Sequence, residues 1–184
     1  MDKTRNRAGN KAMNKAVFLD RDGVICEDTD FVTSFDKLNL FPFAKEAIDI
    51  IHQKGYLAIV VSNQSGVARG YITEDMVRKI NDYIIFQTGV DAIYYCPHLP
   101  PDGETILPYR VDCDCRKPKP GMILRAAEEY DINLTASYMV GDRETDLEAG
   151  RNVGVRSIGI SDSPETLALA DGVFTNILEF ARSL

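Results

Sequence analysis

Four short apolar runs in this chain each stop on a residue that can do chemistry. "AVFLD" ends on Asp20, "YLAIVVSN" on Ser62 and Asn63, "VDAIYYC" on Cys96, and "ASYMVGD" on Asp142. Short continuous apolar runs are the pattern of strands covered on both faces. Helical patterns separate them. In "FAKEAIDIIHQKG" residues Ala44, Ala47, Ile48 and Ile51 share one face, and Gly55 supplies a C-terminal stop. Thr73 before Glu74 and Asp75 reads as an N-cap with an acidic first turn, opening a helix to about Gln87. Pro120 opens another over "GMILRAAEEY", and Thr145–Asn152 makes a short one. "VRSIGI" and "GVF" read as late strands, and Ile177–Ser183 as a closing helix. This alternation predicts an α/β fold with a doubly wound, Rossmann-like parallel sheet. Ligands of such sheets bind beyond the C-terminal strand ends. That edge is where the four polar stops would gather.

The 184 residues suit one domain, able to bury roughly 70% of its unfolded surface without staples. We place that domain at residues 15–184, behind a disordered, basic and polar extension over 1–14. The extension lacks the apolar segment of a secretory signal. A net charge of −7 argues against nucleic acid as main partner, because phosphate backbones need a basic face. No apolar run approaches the roughly 18 residues of a membrane span. Clustered cysteines without an export signal point to a reducing, cytoplasmic setting. A monomer acting on a small anion is expected, since a local cationic pocket can sit in an acidic protein.

The polar stops carry recognisable donor sets. Asp20 and Asp22 in "FLDRDGV" lie two apart, so in extended backbone they share a side. Converging carboxylates repel unless a cation or a proton intervenes. Alone, the pair also fits a plain acidic turn. Ser62 and Asn63, before a Gly-containing loop, offer a hydroxyl, a carboxamide and backbone N–H groups suited to phosphoryl oxygens. Arg116 and Lys117 precede a helix start, where an arginine fork and a lysine point charge suit phosphate or sugar oxygens. A solvated basic surface is the bland alternative. In "MVGDRETD", Asp142 and Asp146 are one helical turn apart, a spacing open both to Mg²⁺ ligation and to helix capping.

Taken in order, D-x-D, S-N, K-P and G-D-x-x-x-D resemble the haloacid dehalogenase-like (HAD) hydrolases, in their aspartyl-phosphate phosphatase branch. The resemblance covers about Lys15 to Ile160. It implies that Asp20 is the nucleophile and that Asp22 is the acid that protonates the leaving alkoxide and then activates water. It implies Mg²⁺ held by Asp20, the backbone carbonyl of Asp22, and Asp142. Lys117 would hold the nucleophile and phosphoryl group, with Ser62 and Asn63 on the phosphoryl oxygens. Asp146 matches the second acid of the last motif, either near the metal through water or orienting Lys117. The spacings from Asp20 to Ser62 and from Ser62 to Lys117 leave no room for a large cap domain, so a capless enzyme with an open site is expected.

Cys96, His98, Cys113 and Cys115 form C-x-H, then C-x-C, in a loop over 96–115. The S₃N set is a common closed zinc site, with no vacant position and hence a structural role. A disulfide would strand one cysteine, and C-x-C bridges are strained. The loop has few core-forming residues, and zinc binding can supply on the order of 10 kcal/mol of ordering energy. "YYCPH" with "CDCRKP" is similar to the D-glycero-D-manno-heptose 1,7-bisphosphate 7-phosphatases and the related histidinol-phosphate phosphatases. "FLDRDGVI", "VVSNQSGVARG" and "YMVGDRETDLEAG" agree. The resemblance implies hydrolysis of the 7-phosphate of a heptose bisphosphate, with histidinol phosphate the alternative substrate and a non-catalytic phosphosugar-binding protein the alternative class. It implies a substrate contact for Arg116. Arg143 stands where the family often has a lysine and is a further candidate contact. Cys26 is left as a plain thiol.

Overall fold

In the structure, a computed structural model, residues 13–101, 106–160 and 163–184 are described. The extension expected over 1–14 falls outside them up to residue 12, as do residues 102–105 of the cysteine loop. Asn14 is docked: its backbone N–H donates to Asp131 and its carbonyl accepts from Asn133, both at 2.8 Å.

The strands are β1 (Lys15–Leu19), β2 (Tyr56–Asn63), β3 (Ala92–Cys96), β4 (Tyr138–Gly141), β5 (Arg156–Gly159) and β6 (Gly172–Val173). The helices are α1 (Ala44–Gln53), α2 (Glu74–Thr88), α3 (Gly121–Glu129), α4 (Glu144–Arg151), α5 (Pro164–Leu169) and α6 (Ile177–Ser183). All neighbouring strands are parallel, in the order β3-β2-β1-β4-β5-β6. This is the doubly wound order, and its switch point lies between β1 and β4.

The strands are apolar on both faces because both faces are covered. In β1, Val17 and Leu19 pack with α1, α2 and α6, while Ala16 and Phe18 pack on the other side with Met122, Ile123 and Ala126 of α3. Parallel strands need this two-sided burial. The caps follow the sequence signals. Thr73 Oγ1 accepts from the Met76 N–H at 3.2 Å, and Gly89 ends α2 in the left-handed region.

Three local readings shift. The fourth strand starts at Tyr138, because Leu134–Ala136 forms a 3-10 turn first. The short helix begins at Glu144, one residue early. Helix α5 was not anticipated: six residues are too few for a clear apolar period. Its signal was Ser163–Pro164, a cap followed by proline at the first helical position. Among the described residues no further domain is inserted before β2 or between β2 and α3, so the site edge of the sheet is uncapped.

Candidate active site

The switch point sets the carboxylates. Leu19 pairs with Val140, and the Asp20 N–H donates to the Val140 carbonyl at 2.9 Å. Asp20 and Asp142 therefore leave adjacent strands at the same level. Asp146 comes in on the first turn of α4, where its Oδ2 accepts from the Arg143 N–H at 3.1 Å and caps the helix. Ligand oxygens of Asp20, Asp142 and Asp146 all lie within 4.8 Å of one another. Gly23 makes room. Its φ of +84° is left-handed, and a Cβ there would stand 2.3 Å from Asp142 Oδ2.

Lys117 is the counter-charge. The residue is 3% exposed, and its ammonium lies 2.8 Å from Asp20 Oδ1, 2.8 Å from Asp146 Oδ1 and 2.6 Å from the Val61 carbonyl. Burial works against that charge, but Asp146 and Asp20 outweigh it and raise the lysine's pKa. One lysine does not balance three acids. Burial, with Asp146 beside it, pushes Asp20 up to about 7 against the pull of Lys117. Burial and Asp146 push Asp142 up to about 6. Asp142 Oδ1 is buried with no hydrogen-bond partner among the described residues. Clustered hard oxygens, an orphaned carboxylate oxygen and excess negative charge fit a Mg²⁺-sized cation.

Asp22 stands beside this set rather than in it. Its carboxylate is gripped by Arg21, and Gln64 Nε2 donates to its Oδ2 at 3.1 Å. Ser62 Oγ accepts from Gln64 Nε2 at 2.8 Å. Asn63 turns both amide atoms to the Lys117 backbone: Oδ1 accepts from N at 3.0 Å and Nδ2 donates to O at 3.1 Å. Asp20, Asp22, Ser62, Asn63, Arg116, Lys117 and Arg143 all line one cavity of about 420 Å³. Arg143 pairs with Asp28 across its rim.

Reading the sequence missed Arg21, Gln64 and Asp28. Arg21 lay inside the D-x-D, a cation between two carboxylates at a strand end. Gln64 directly follows S-N. Asp28 gave no local signal, because Arg143 lies 115 residues away. Cys26, which the sequence marks only as a plain thiol, is buried with its Sγ 3.4 Å from Asp22 Oδ1.

The cysteine loop brings its four ligands together. Sγ of Cys96 is 3.5 Å from that of Cys113, and Sγ of Cys115 is 3.2 Å from Cys113. His98 Nδ1 is 3.7 Å from Cys96 Sγ and 3.5 Å from Cys115 Sγ. Tetrahedral zinc with ordinary Zn–S and Zn–N bonds separates such atoms by roughly 3.6–3.8 Å. The cluster can hold zinc. Hydrogen bonding from Cys96 holds the Cys115 thiol down to about 5, while that same contact and burial push Cys96 up. Arg116 Nη1 donates to the His98 carbonyl at 3.3 Å, tying that arginine to the cysteine–histidine cluster. The loop closes onto α3 through Gly121, where a Cβ would meet the Asp114 carbonyl oxygen at 2.4 Å.

Known proteins resemble this chain in sequence and fold. The HAD-hydrolase-like family model matches residues 114–172. D-glycero-beta-D-manno-heptose-1,7-bisphosphate 7-phosphatase of Haemophilus influenzae is 39% identical over 183 residues, 94% of this chain and 97% of that protein. The D-glycero-alpha-D-manno-heptose-1,7-bisphosphate 7-phosphatase of Burkholderia mallei is 42% identical over 147 residues, 77% of each chain. The crystal structure of D,D-heptose 1,7-bisphosphate phosphatase from B. bronchiseptica, complexed with magnesium and phosphate, superposes with a TM-score of 0.77 at 35% identity. That superposition covers 92% of this chain and 97% of the other.

Proposed function

Since the chain belongs to the HAD-like D-glycero-D-manno-heptose-1,7-bisphosphate 7-phosphatases, we infer that it hydrolyses the 7-phosphate ester of this bisphosphate and leaves the 1-phosphate in place. The observation that carries the reading is Lys117, set 2.8 Å from both Asp20 and Asp146 on the floor of an open cavity.

Asp20 is the nucleophile. Its Oδ1 accepts from Lys117 Nζ and from the Arg21 N–H at 2.7 Å, which leaves Oδ2 for phosphorus. The Oδ2–P bond forms as the bond from phosphorus to the C7 oxygen breaks, and Asp22 gives that oxygen a proton. Water then attacks the aspartyl phosphate, returns a proton to Asp22, and releases inorganic phosphate. Asp20 and Asp142, with the Asp22 carbonyl, would hold Mg²⁺, which neutralises charge on the phosphoryl oxygens when bound. The Ser62 hydroxyl meets a phosphoryl oxygen. Asn63 acts on the same group chiefly by holding the Lys117 backbone. Asp146 aims the lysine. Arg116 and Arg143 face the sugar and its second phosphate, and zinc fixes the loop that carries Arg116.

None of the helices among the described residues is long and apolar enough to cross a membrane. We place the enzyme in the cytoplasm, where reduced cysteines persist. We propose that it acts as a monomer; light scattering tests this.

Phosphate release from both heptose bisphosphate anomers and from histidinol phosphate, measured side by side with Mg²⁺, tests the function. The two relatives differ in anomer, so the ratio between anomers is itself informative. A heptose bisphosphate should show the highest kcat/KM. Preference for histidinol phosphate, or no release from any of the three, overturns the reading.

A further inference from the structure

Arg21 is a large charged side chain at the site to which the sequence reading gave no role. As a residue it is 1% exposed, while the side chain of its partner Asp22 is 22% exposed. Burying a guanidinium is expensive unless its donors are met. Here two of its three nitrogens are met by a single carboxylate. Nε and Nη2 donate to Asp22 Oδ1 at 3.1 and 2.9 Å, and Nη2 also donates to Oδ2 at 2.9 Å. Nη1 is buried with no partner among the described residues. A cation this deep, with an unmatched donor, is a poor way to stabilise a fold.

Its geometry suits another task. The backbone N–H of Arg21 donates to Asp20 Oδ1 at 2.7 Å. Its carbonyl accepts from the N–H groups of Ile25 and Cys26, at 2.8 and 3.1 Å, which pins the turn after β1. One residue thus touches the nucleophile through its backbone and the neighbouring acid through its side chain. A planar fork fixes both oxygens of a carboxylate in direction as well as distance. Gln64 and Cys26 complete the cradle from β2's end and from the turn.

We propose that Arg21 is a positioning residue that holds the Asp22 carboxylate in register with Asp20 for proton transfer to the leaving alkoxide. The proposal rests on the reading of Asp22 as that proton donor. Without the fork, Asp22 keeps its chemistry but loses its direction.

The test compares two esters. Heptose bisphosphate expels a primary alkoxide, which needs a proton as it leaves. p-Nitrophenyl phosphate expels a stabilised phenolate, which does not. kcat/KM reports steps up to the first departure of the alcohol, so it isolates the proton donation from the later attack of water. Asp22→Asn should lower kcat/KM for the alkyl ester by about 10²–10⁴-fold, the usual range for a general acid, and far less for the aryl ester. Arg21→Met should reproduce that selectivity, with about a 10²-fold loss on the alkyl ester and less than about tenfold on the aryl ester. Added to Asp22→Asn, it should cost the alkyl ester less than about threefold more, because it acts through Asp22. Arg21→Lys keeps a cation without the fork and should give the same selective loss if Arg21→Met does not fold.

Equal losses on both esters, or full additivity with Asp22→Asn, would mean that Arg21 only maintains the fold. Failure of Asp22→Asn itself to separate the esters would remove the proton-donor reading, and this proposal with it.

Discussion

The protein holds two clusters of metal-ligating side chains, and they are built in opposite ways. The carboxylates of Asp20 and Asp142 stand at the ends of adjacent buried strands, and Asp146 stands on a helix clamped beside them. Hydrogen-bonded sheet and packed core fix those backbones before any ion arrives. The Cys96, His98, Cys113 and Cys115 set joins the end of an edge strand to a loop with few buried apolar residues. There the ligands themselves must do the ordering. A metal bound in the first class would serve chemistry, and one bound in the second would serve shape. The two meet at "CRKP", where Cys115 lies two residues before Lys117.

The largest expected effect separates chemistry from shape at the first site. Asp20→Asn should keep the fold and reduce phosphate release by roughly 10⁴-fold or more, as loss of a nucleophile does in other enzymes. Retained turnover would break the assignment. Asp146→Asn leaves Lys117 with one carboxylate partner instead of two. It should lower kcat by about 10²-fold with a smaller change in KM, since it acts on a charge felt in the transition state. A change confined to KM would place Asp146 in substrate binding instead.

At the second site the effect is expected in affinity and stability. Cys113→Ser should lower bound zinc and melting temperature, and raise KM for the heptose bisphosphate about tenfold, some 1.4 kcal/mol. Turnover of p-nitrophenyl phosphate should change much less. Equal loss on both substrates would mean that the loop maintains the fold and does not meet the sugar.

The smallest effect concerns pH. In Mg²⁺-free protein, Asp20 keeps its proton up to about 7 and Asp142 up to about 6, against an ordinary 3.8 in the unfolded chain. Between those values the folded state binds more protons than the unfolded one, so this contribution to stability grows as pH falls. The melting temperature without Mg²⁺ should therefore gain from acidification between about pH 8 and about pH 6, relative to protein saturated with Mg²⁺. The zinc site titrates in the other direction, because its thiol ligands must lose protons to bind. Parallel pH curves with and without Mg²⁺ would show that the carboxylates are not a cation site.

Much of this was legible in the chain. Two-sided apolar runs gave the parallel sheet, because only a strand covered on both faces reads that way. Thr73 marks the start of α2 and Gly55 the stop after α1 by local backbone chemistry. The residue types at the strand ends, and the C-x-H with C-x-C spacing, named the donor sets. Sequence alone therefore determined which atoms are present and on which elements they ride.

Tertiary structure decided how those atoms are shared. The motif around Asp146 allowed either metal contact or service to Lys117, and only the packing of α4 against β4 and β5 put its carboxylate on the lysine. Asn63 offered an amide suited to a phosphoryl oxygen, and the fold turned it to the Lys117 backbone. Asp28 and Arg143 met across the cavity rim from 115 residues apart. Arg21 carries no signal of its own between two aspartates in the sequence, and the fold makes it the fork that grips one of them. The reason is the same in each case. A residue's donors and acceptors are local properties, but which partner claims them depends on distances that only the closed sheet and its helices set.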